Sequence, residues 1–441
     1  MELTRTLGIR ASTSIGIGAM VGAGIFVLSG VAAGKAGPAV IVSFVLAATL
    51  EILLGLCYAE LSSRYPRAGG SYEFVRETMG PLLGTVIGWA YLGAWLAASS
   101  FVAQGFGHYL HTLTGAPPII SAIILLILLG LLNIIGVQWS GKVQFFIVVI
   151  EIILLLSFFA IGFNHVEYTL FKPFAPTGIE GILAAALVGF LSMVDWDGIV
   201  ASAEEIKNPT RTIPISIISS ILIVMLLYIG LLFVSVGVVP WTELGASVTP
   251  VFLVSEQILG GIGPLLINMV IVIALPATAN AFILSISRTA FAMARNGLLP
   301  RRFSRIHPKF NTPVPAIILG VSIQILFTIS SSINIAVSAT GFLYIITFIF
   351  TLVAFFISRK KTTDIVRNQQ FKAPLYPLLP ITALFICFVL LLPVGKSGFL
   401  TGGIWLMFGF ILYLIRSSQI KHNKKIKGQR KIPNLFVKPS K

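Results

Sequence analysis

Twelve apolar runs, most about twenty residues long, divide this 441-residue chain between charged or Pro/Gly-rich breaks. Their approximate limits are 11–34, 38–60, 82–111, 117–137, 143–163, 180–203, 213–238, 262–294, 313–330, 332–357, 374–393 and 397–415. A helix needs about 20 apolar residues to cross the hydrocarbon core of a bilayer, so each run is a candidate span. Composition agrees: 56% of the residues are hydrophobic and 10% charged, against roughly 45–50% and ~25% in soluble domains. A soluble enzyme, a disulfide scaffold and a disordered chain are excluded. Cys57 and Cys387 lie in apolar runs without disulfide or metal spacing and read as buried thiols. The first run is long, glycine-rich and followed by further spans, so the N-terminus does not read as a cleavable signal.

The net charge of +16 raises nucleic-acid binding as one reading. The placement of the charges argues against it. If residues 1–10 are cytoplasmic and the chain crosses twelve times, only Lys35, Lys172 and Lys396 of the 31 Lys and Arg residues fall in outer loops. The remainder face the cytoplasm, which is the bias that orients membrane proteins. Both termini are therefore expected in the cytoplasm of a multi-pass cell-membrane protein. The basic tail 416–441 is placed to touch anionic lipid headgroups, and nucleic acid is not an expected partner.

Two runs do not read as ordinary spans. The first contains Gly16-Ile-Gly-Ala-Met-Val-Gly-Ala-Gly-Ile-Phe26, and each helical glycine costs ~1 kcal/mol relative to alanine. Lipid cannot satisfy exposed backbone, so this stretch either lines a cavity or packs tightly, and Gly18 and Gly22 fit a GxxxG spacing. The sixth contains Phe190-Leu-Ser-Met-Val-Asp-Trp-Asp-Gly-Ile199, with two carboxylates inside an apolar run. An acid at the bilayer centre costs ~2.5–3.5 kcal/mol on insertion scales and is a functional candidate. Interrupted helices five spans apart fit an inverted repeat in which a substrate binds at the two breaks. A half-helix N-terminus suits an anion and a C-terminal end suits a cation, so a zwitterionic amino acid is a natural ligand.

Four motifs then carry a resemblance. They are Gly16–Phe26, Tyr58-Ala-Glu-Leu-Ser-Ser-Arg-Tyr-Pro-Arg-Ala-Gly-Gly-Ser-Tyr72, Ala203-Glu-Glu-Ile-Lys-Asn-Pro-Thr-Arg211 followed by Pro214, and Ser287-Arg-Thr-Ala-Phe-Ala-Met-Ala-Arg-Asn-Gly-Leu-Leu-Pro300. In this order they resemble the amino acid–polyamine–organocation (APC) superfamily, specifically its amino acid permeases. The resemblance implies an all-α polytopic fold of the leucine-transporter type. Its first inverted repeat would span 11–163 (helices 1–5) and its second 180–357 (helices 6–10), with helices 1 and 6 broken. Two helices at 374–415 and the cytoplasmic tail 416–441 would follow. The family pattern implies that the N–H groups of Gly22, Ala23 and Gly24 hold the substrate carboxylate. The carbonyls of Met20, Leu191, Ser192 and Val194 would receive its ammonium. The position of Leu191 is often an aromatic gate in relatives, a role that here passes to Phe190.

Four carboxylates lie inside the predicted spans away from their ends: Glu51, Glu151, Asp195 and Asp197. Burial without a partner favours the neutral form of a carboxyl, so such a group can load and release a proton. The stretch Lys142-Val-Gln-Phe-Phe-Ile-Val-Val-Ile-Glu151 resembles the fifth-helix segment whose last position is lysine in proton-coupled relatives. Glu151 is the expected coupling residue, with a cation-binding or structural role as alternatives. Asp195 replaces a residue that is usually glycine in relatives and is placed to bind a cationic substrate, to titrate, or to pair with water at the break. Asp197 matches a position that is often acidic there, near the cytoplasmic mouth, with helix capping as an equal alternative. Sodium is the weaker choice, because Pro276-Ala-Thr-Ala-Asn280 offers one hydroxyl, Thr278.

His108 and His111 lack a third ligand and read as surface or interfacial residues. Gln104 is placed to reach the pocket, and Trp89, Trp241 and Tyr413 read as interfacial anchors. No cofactor is implied. One D-x-D pair without a second acidic cluster does not make a membrane enzyme, and no complete G-x-x-x-x-G-K-[ST] motif supplies a nucleotide engine, because Gly136-Val-Gln-Trp-Ser-Gly-Lys142 is followed by Val143. The reading is a secondary transporter that moves amino acids with protons, the alternative being a carrier or exchanger for cationic amino acids or polyamines.

Overall fold

A computed structural model describes residues 7–65, 69–136, 141–201, 203, 206–310, 312–361 and 371–429. Arg5, Arg67, Glu204, Glu205, Arg367 and the tail from residue 430 lie outside the described residues. Backbone groups in a bilayer must pair within their own segment, and long apolar runs meet that demand as helices. Among the described residues every regular element is helical, and an isolated parallel bridge joins Leu7 to Ile206.

In chain order the α-helices are α1 (Ile9–Met20), α2 (Ala23–Phe26), α3 (Leu28–Ala36), α4 (Val40–Arg64), α5 (Ser71–Met79) and α6 (Pro81–Thr114). Then come α7 (Pro118–Ile135), α8 (Gly141–Gly162), α9 (Gly178–Met193), α10 (Asp197–Ala201), α11 (Pro209–Val238) and α12 (Trp241–Ala246). The last six are α13 (Pro250–Leu259), α14 (Gly263–Arg295), α15 (Val314–Ser330), α16 (Ile333–Lys361), α17 (Leu378–Leu391) and α18 (Gly395–Gln429).

Among the described residues ten stretches are long and apolar enough to cross a membrane, against twelve runs in the sequence. The difference has two local causes. α17 and α18 are counted as one stretch, Leu378–Arg416, because only a 3-10 turn at Leu392–Val394 divides them. α15 is apolar but only 17 residues long. The boundary between the first two runs also moves. The chain breaks around Val27, and α3 joins α4 through a 3-10 turn at Gly37–Ala39, where Gly37 has φ 62°.

α6 is the most enclosed helix: 89% of its most apolar window is buried, against 28% for Phe145–His165 and 33% for Leu378–Arg416. It packs against α5, α7, α14, α16 and α18, while α4 packs against α9 and α11. The outer helices turn large apolar side chains outward, as Phe146, Phe385 and Leu400 show, and a bilayer is the medium that suits such a surface.

Two polar devices lock helices that hydrophobic packing alone would let slide. Trp89 and Trp405 stack at 4.9 Å, and each indole N–H donates to the other's carbonyl, at 2.9 and 2.8 Å. Trp89 is therefore part of an interhelical pair joining α6 to α18, not simply an interfacial anchor. At the far end of α4, the buried Glu60 carboxylate accepts Arg359 Nε at 2.8 Å, Arg359 Nη2 at 2.5 Å and the Ala373 amide at 2.7 Å. It also accepts from Arg64, so α4, α16 and the segment leading to α17 are held at one carboxylate.

Candidate functional site

Both unusual runs are interrupted. α1 ends at Met20, Val21 is extended (φ −76°, ψ 100°), and the helix resumes at Ala23 for a single turn. The sixth segment narrows instead of opening: α9 ends at Met193, Val194–Trp196 form a 3-10 turn, and α10 begins at Asp197.

The two interruptions meet. The Ser192 hydroxyl donates to the Gly24 carbonyl at 2.7 Å and to the Val188 carbonyl at 2.8 Å. A Cβ on Gly24 would stand 2.8 Å from both Cα and O of Ser192, so glycine is what permits this approach. A Cβ on Gly22 would stand 2.1 Å from Thr278 Oγ1, a buried hydroxyl on α14 with no partner among the described residues. The glycines of the first segment thus serve two close approaches, one to backbone and one to a side chain. Phe190 and Leu191 are buried just before the second break, and Phe190 meets Phe348 edge-on at 5.8 Å.

Of the carbonyls expected to receive an ammonium, several already have donors. The Tyr228 hydroxyl, from the middle of α11, donates to Met20 O at 2.7 Å and lies 3.4 Å from Ser192 O. The Asp197 amide donates to the carbonyls of Val194 and Asp195. Sequence reasoning missed Tyr228. Its signal was available as a single phenol within the apolar run 213–238, where a hydroxyl has to find a partner.

The membrane acids fall into two groups. Asp195 accepts from the Tyr344 hydroxyl at 3.3 Å and Asp197 from the Tyr91 hydroxyl at 2.6 Å. Glu51 reaches the same turn from α4 and accepts the Trp196 indole N–H at 2.7 Å. Glu151 stands apart on α8, which packs against α1 and α11. It is 1% exposed, and neither carboxylate oxygen has a partner among the described residues. Tyr228 lies within electrostatic reach of both Asp195 and Glu151.

Other expected residues find different surroundings. Gln104 donates to the Ser331 carbonyl at 3.0 Å and to Ser100 Oγ at 3.2 Å, tying α6 to the turn before α16. The His111 ring contacts the Ala116 carbonyl at 2.9 Å at the exposed end of α6. Outside the spans, burial pushes the Tyr72 phenol above its ordinary range, and Asn296 Nδ2 donates to it at 2.7 Å. A cleft of about 530 Å³ opens beyond the first break, lined by Val27, Val31, Lys35, Trp241, Ser247 and Asn334.

An enclosed bundle of apolar helices, ten stretches of which are long and apolar enough to cross a bilayer among the described residues, is the architecture of a multi-pass membrane protein. Residues 7–416 match the model of the amino acid permease family, and the chain belongs to that family, within the APC superfamily. It is 30% identical to a branched-chain amino acid permease of Bacillus subtilis (strain 168), over 96% of this chain and 95% of that protein. It is 31% identical to the methylthioribose transporter of the same organism, over 94% of each. With the chloroplastic cationic amino acid transporter 9 of Arabidopsis thaliana it shares 32% identity, over 70% of this chain and 58% of that one.

Proposed function

We propose that this protein is a secondary active transporter that carries amino acids across the cell membrane by alternating access, in symport with protons. The observation that carries the reading is the joint at Ser192 and Gly24, where two interrupted segments bring their backbone groups to one place. In this reading the chain crosses twelve times, with both termini cytoplasmic and helices 1–5 and 6–10 as inverted repeats. Leu378–Arg416 then counts as two crossings, and α15 as a short one.

The amides of Gly22, Ala23 and Gly24 take the substrate carboxylate. The carbonyls of Met20, Leu191, Ser192 and Val194 face its ammonium, and Phe190 closes the side of the site. Tyr228 holds the Met20 carbonyl in the empty carrier and yields it when an ammonium arrives. Glu151 is the coupling carboxyl, with Asp195 and Asp197 as further ion-coupling groups. The unpartnered state of both Glu151 oxygens supports this, because a buried carboxyl with no donor is one a proton can satisfy. A membrane potential supplies ~2.3 kcal/mol per charge per 100 mV, about 50-fold accumulation for one charge moved.

A second reading is a carrier or exchanger for cationic amino acids or polyamines. It is favoured by Asp195 and Asp197 at the break and by the similarity to a protein named a cationic amino acid transporter. Purified protein in liposomes, offered labelled L-leucine or L-arginine under an imposed pH gradient, separates the two. Leucine uptake that follows the gradient, and ceases to follow it in Glu151→Gln, is the expected result. Uptake indifferent to the gradient refutes the coupling, and uptake of arginine alone supports the second reading.

A further inference from the structure

Glu51 is the one membrane acid to which the transport reading gives no task. It sits midway along α4, fully buried, with Oε2 bound to the Trp196 indole N–H and Oε1 without a partner among the described residues. Trp196 closes the 3-10 turn and separates Asp195 from Asp197. Its ring meets Tyr58 edge-on at 5.3 Å and lies parallel to Phe348, 6.5 Å away. Tyr58 stands two turns beyond Glu51 on α4, so one helix supplies both a polar and an aromatic grip on the same indole. That grip is itself anchored. The Tyr58 hydroxyl shares a 2.5 Å hydrogen bond with Ser71 Oγ and donates to Thr351 Oγ1 at 3.2 Å, reaching α5 and α16.

A 3-10 turn in an apolar segment has few hydrogen bonds of its own to fix it. Here the strongest external polar contact of its aromatic residue is Glu51. Among the described residues, the titratable groups that act electrostatically on Glu51 are Asp195 and Asp197 from the turn and Cys387 from α17, and no salt bridge reaches it. The carboxyl therefore serves neither an ion pair nor a second donor. It offers one acceptor oxygen to one N–H.

We propose that Glu51 is a positioning residue: by accepting the Trp196 N–H it fixes the turn that carries Asp195 and Asp197 and presents the carbonyls of the second break to the substrate. The proposal rests on the transport reading for its consequence, but not for its geometry. The position needs an acceptor oxygen and not a charge, so glutamine serves in its place.

The test compares wild type with Glu51→Gln, Glu51→Leu and Trp196→Phe. Leucine keeps most of the volume of glutamate and removes the acceptor. Phenylalanine keeps a ring between Tyr58 and Phe348 and removes the donor. Two measurements are made on purified, monodisperse protein, the first in detergent and the second after reconstitution. The first is hydrogen–deuterium exchange of the Val194–Trp196 segment, which needs no substrate. Exchange about tenfold faster in Glu51→Leu and Trp196→Phe, and unchanged in Glu51→Gln, is expected from the loss of one buried hydrogen bond. The second is uptake of labelled L-leucine and L-arginine in liposomes across a pH series. The half-saturating concentration should rise about tenfold in the same two variants while the maximal rate stays within about twofold. Glu51→Gln should keep both values and the wild-type pH profile.

Exchange identical in all four proteins overturns the proposal. So does a Glu51→Gln protein that behaves like Glu51→Leu, or one whose pH profile alone changes, because either shows that the proton of Glu51 matters. If the wild type takes up neither amino acid, the transport reading fails, and the exchange measurement still decides the role of Glu51.

Discussion

The Ser192 hydroxyl donates to the Gly24 carbonyl at 2.7 Å, joining the interruption of the first segment to that of the sixth. The approach is so close that a Cβ on Gly24 would press on the Ser192 backbone at 2.8 Å, whereas one on Gly22 would press on the Thr278 side chain. Backbone cannot step aside, and a side-chain oxygen can be deleted. Gly24→Ala should therefore abolish leucine uptake and lower stability by about 1–3 kcal/mol, with no single partner change restoring it. Gly22→Ala should be partly rescued by Thr278→Ala. Uptake in liposomes together with melting in detergent checks both, and equal rescue of the two alanine variants would contradict the geometry.

Tyr228→Phe deletes the donor to the Met20 carbonyl while leaving the ring in place. A buried carbonyl left without its donor costs about 1–3 kcal/mol, so the empty protein should melt lower. The vacated carbonyl is then free for an ammonium. Leucine should consequently raise the melting temperature of the variant more than that of the wild type at the same concentration, while uptake slows. A smaller ligand-induced rise in the variant would show that Tyr228 helps to hold the substrate.

Two phenols serve the two aspartates unequally, at 2.6 Å for Tyr91 to Asp197 and 3.3 Å for Tyr344 to Asp195. Hydrogen bonds weaken as they lengthen, so Tyr91→Phe should destabilise by about 1.5–3 kcal/mol and Tyr344→Phe by roughly 1 kcal/mol or less. Thermal unfolding of the two variants in one detergent gives the order directly.

The stacked pair Trp89 and Trp405 makes two reciprocal indole-to-carbonyl bonds between α6 and α18. Either alanine substitution should cost about 3–5 kcal/mol, and the double variant should cost clearly less than the sum, because both changes remove the same stack. Additive losses in a double-mutant cycle would mean that the indoles act separately.

The helical character of the chain was legible in its apolar runs, because a bilayer leaves the backbone no alternative at that length. The glycines at 16–26 and the acids at 195 and 197 marked both interrupted segments, since glycine lowers helix stability and an acid inside an apolar run needs a local cause. The exchange partners of the site were not legible. Tyr228 and Tyr344 lie on helices far along the chain from the breaks they touch. Gln104 shows the opposite failure: its position suggested the pocket, and its amide is spent on the carbonyls of a neighbouring turn.

What the sequence determined by itself was local and energetic: where the chain enters an apolar medium, where its helices weaken, and which polar groups are carried inside at a cost. What only the tertiary structure decided was the pairing of those groups. Among the described residues Glu151 is left with no donor, Asp197 is given to Tyr91 and Glu51 to Trp196. The reason is geometric. The energy of burying a polar group is set by its own chemistry, but its satisfaction depends on which distant helix packs against it at that depth.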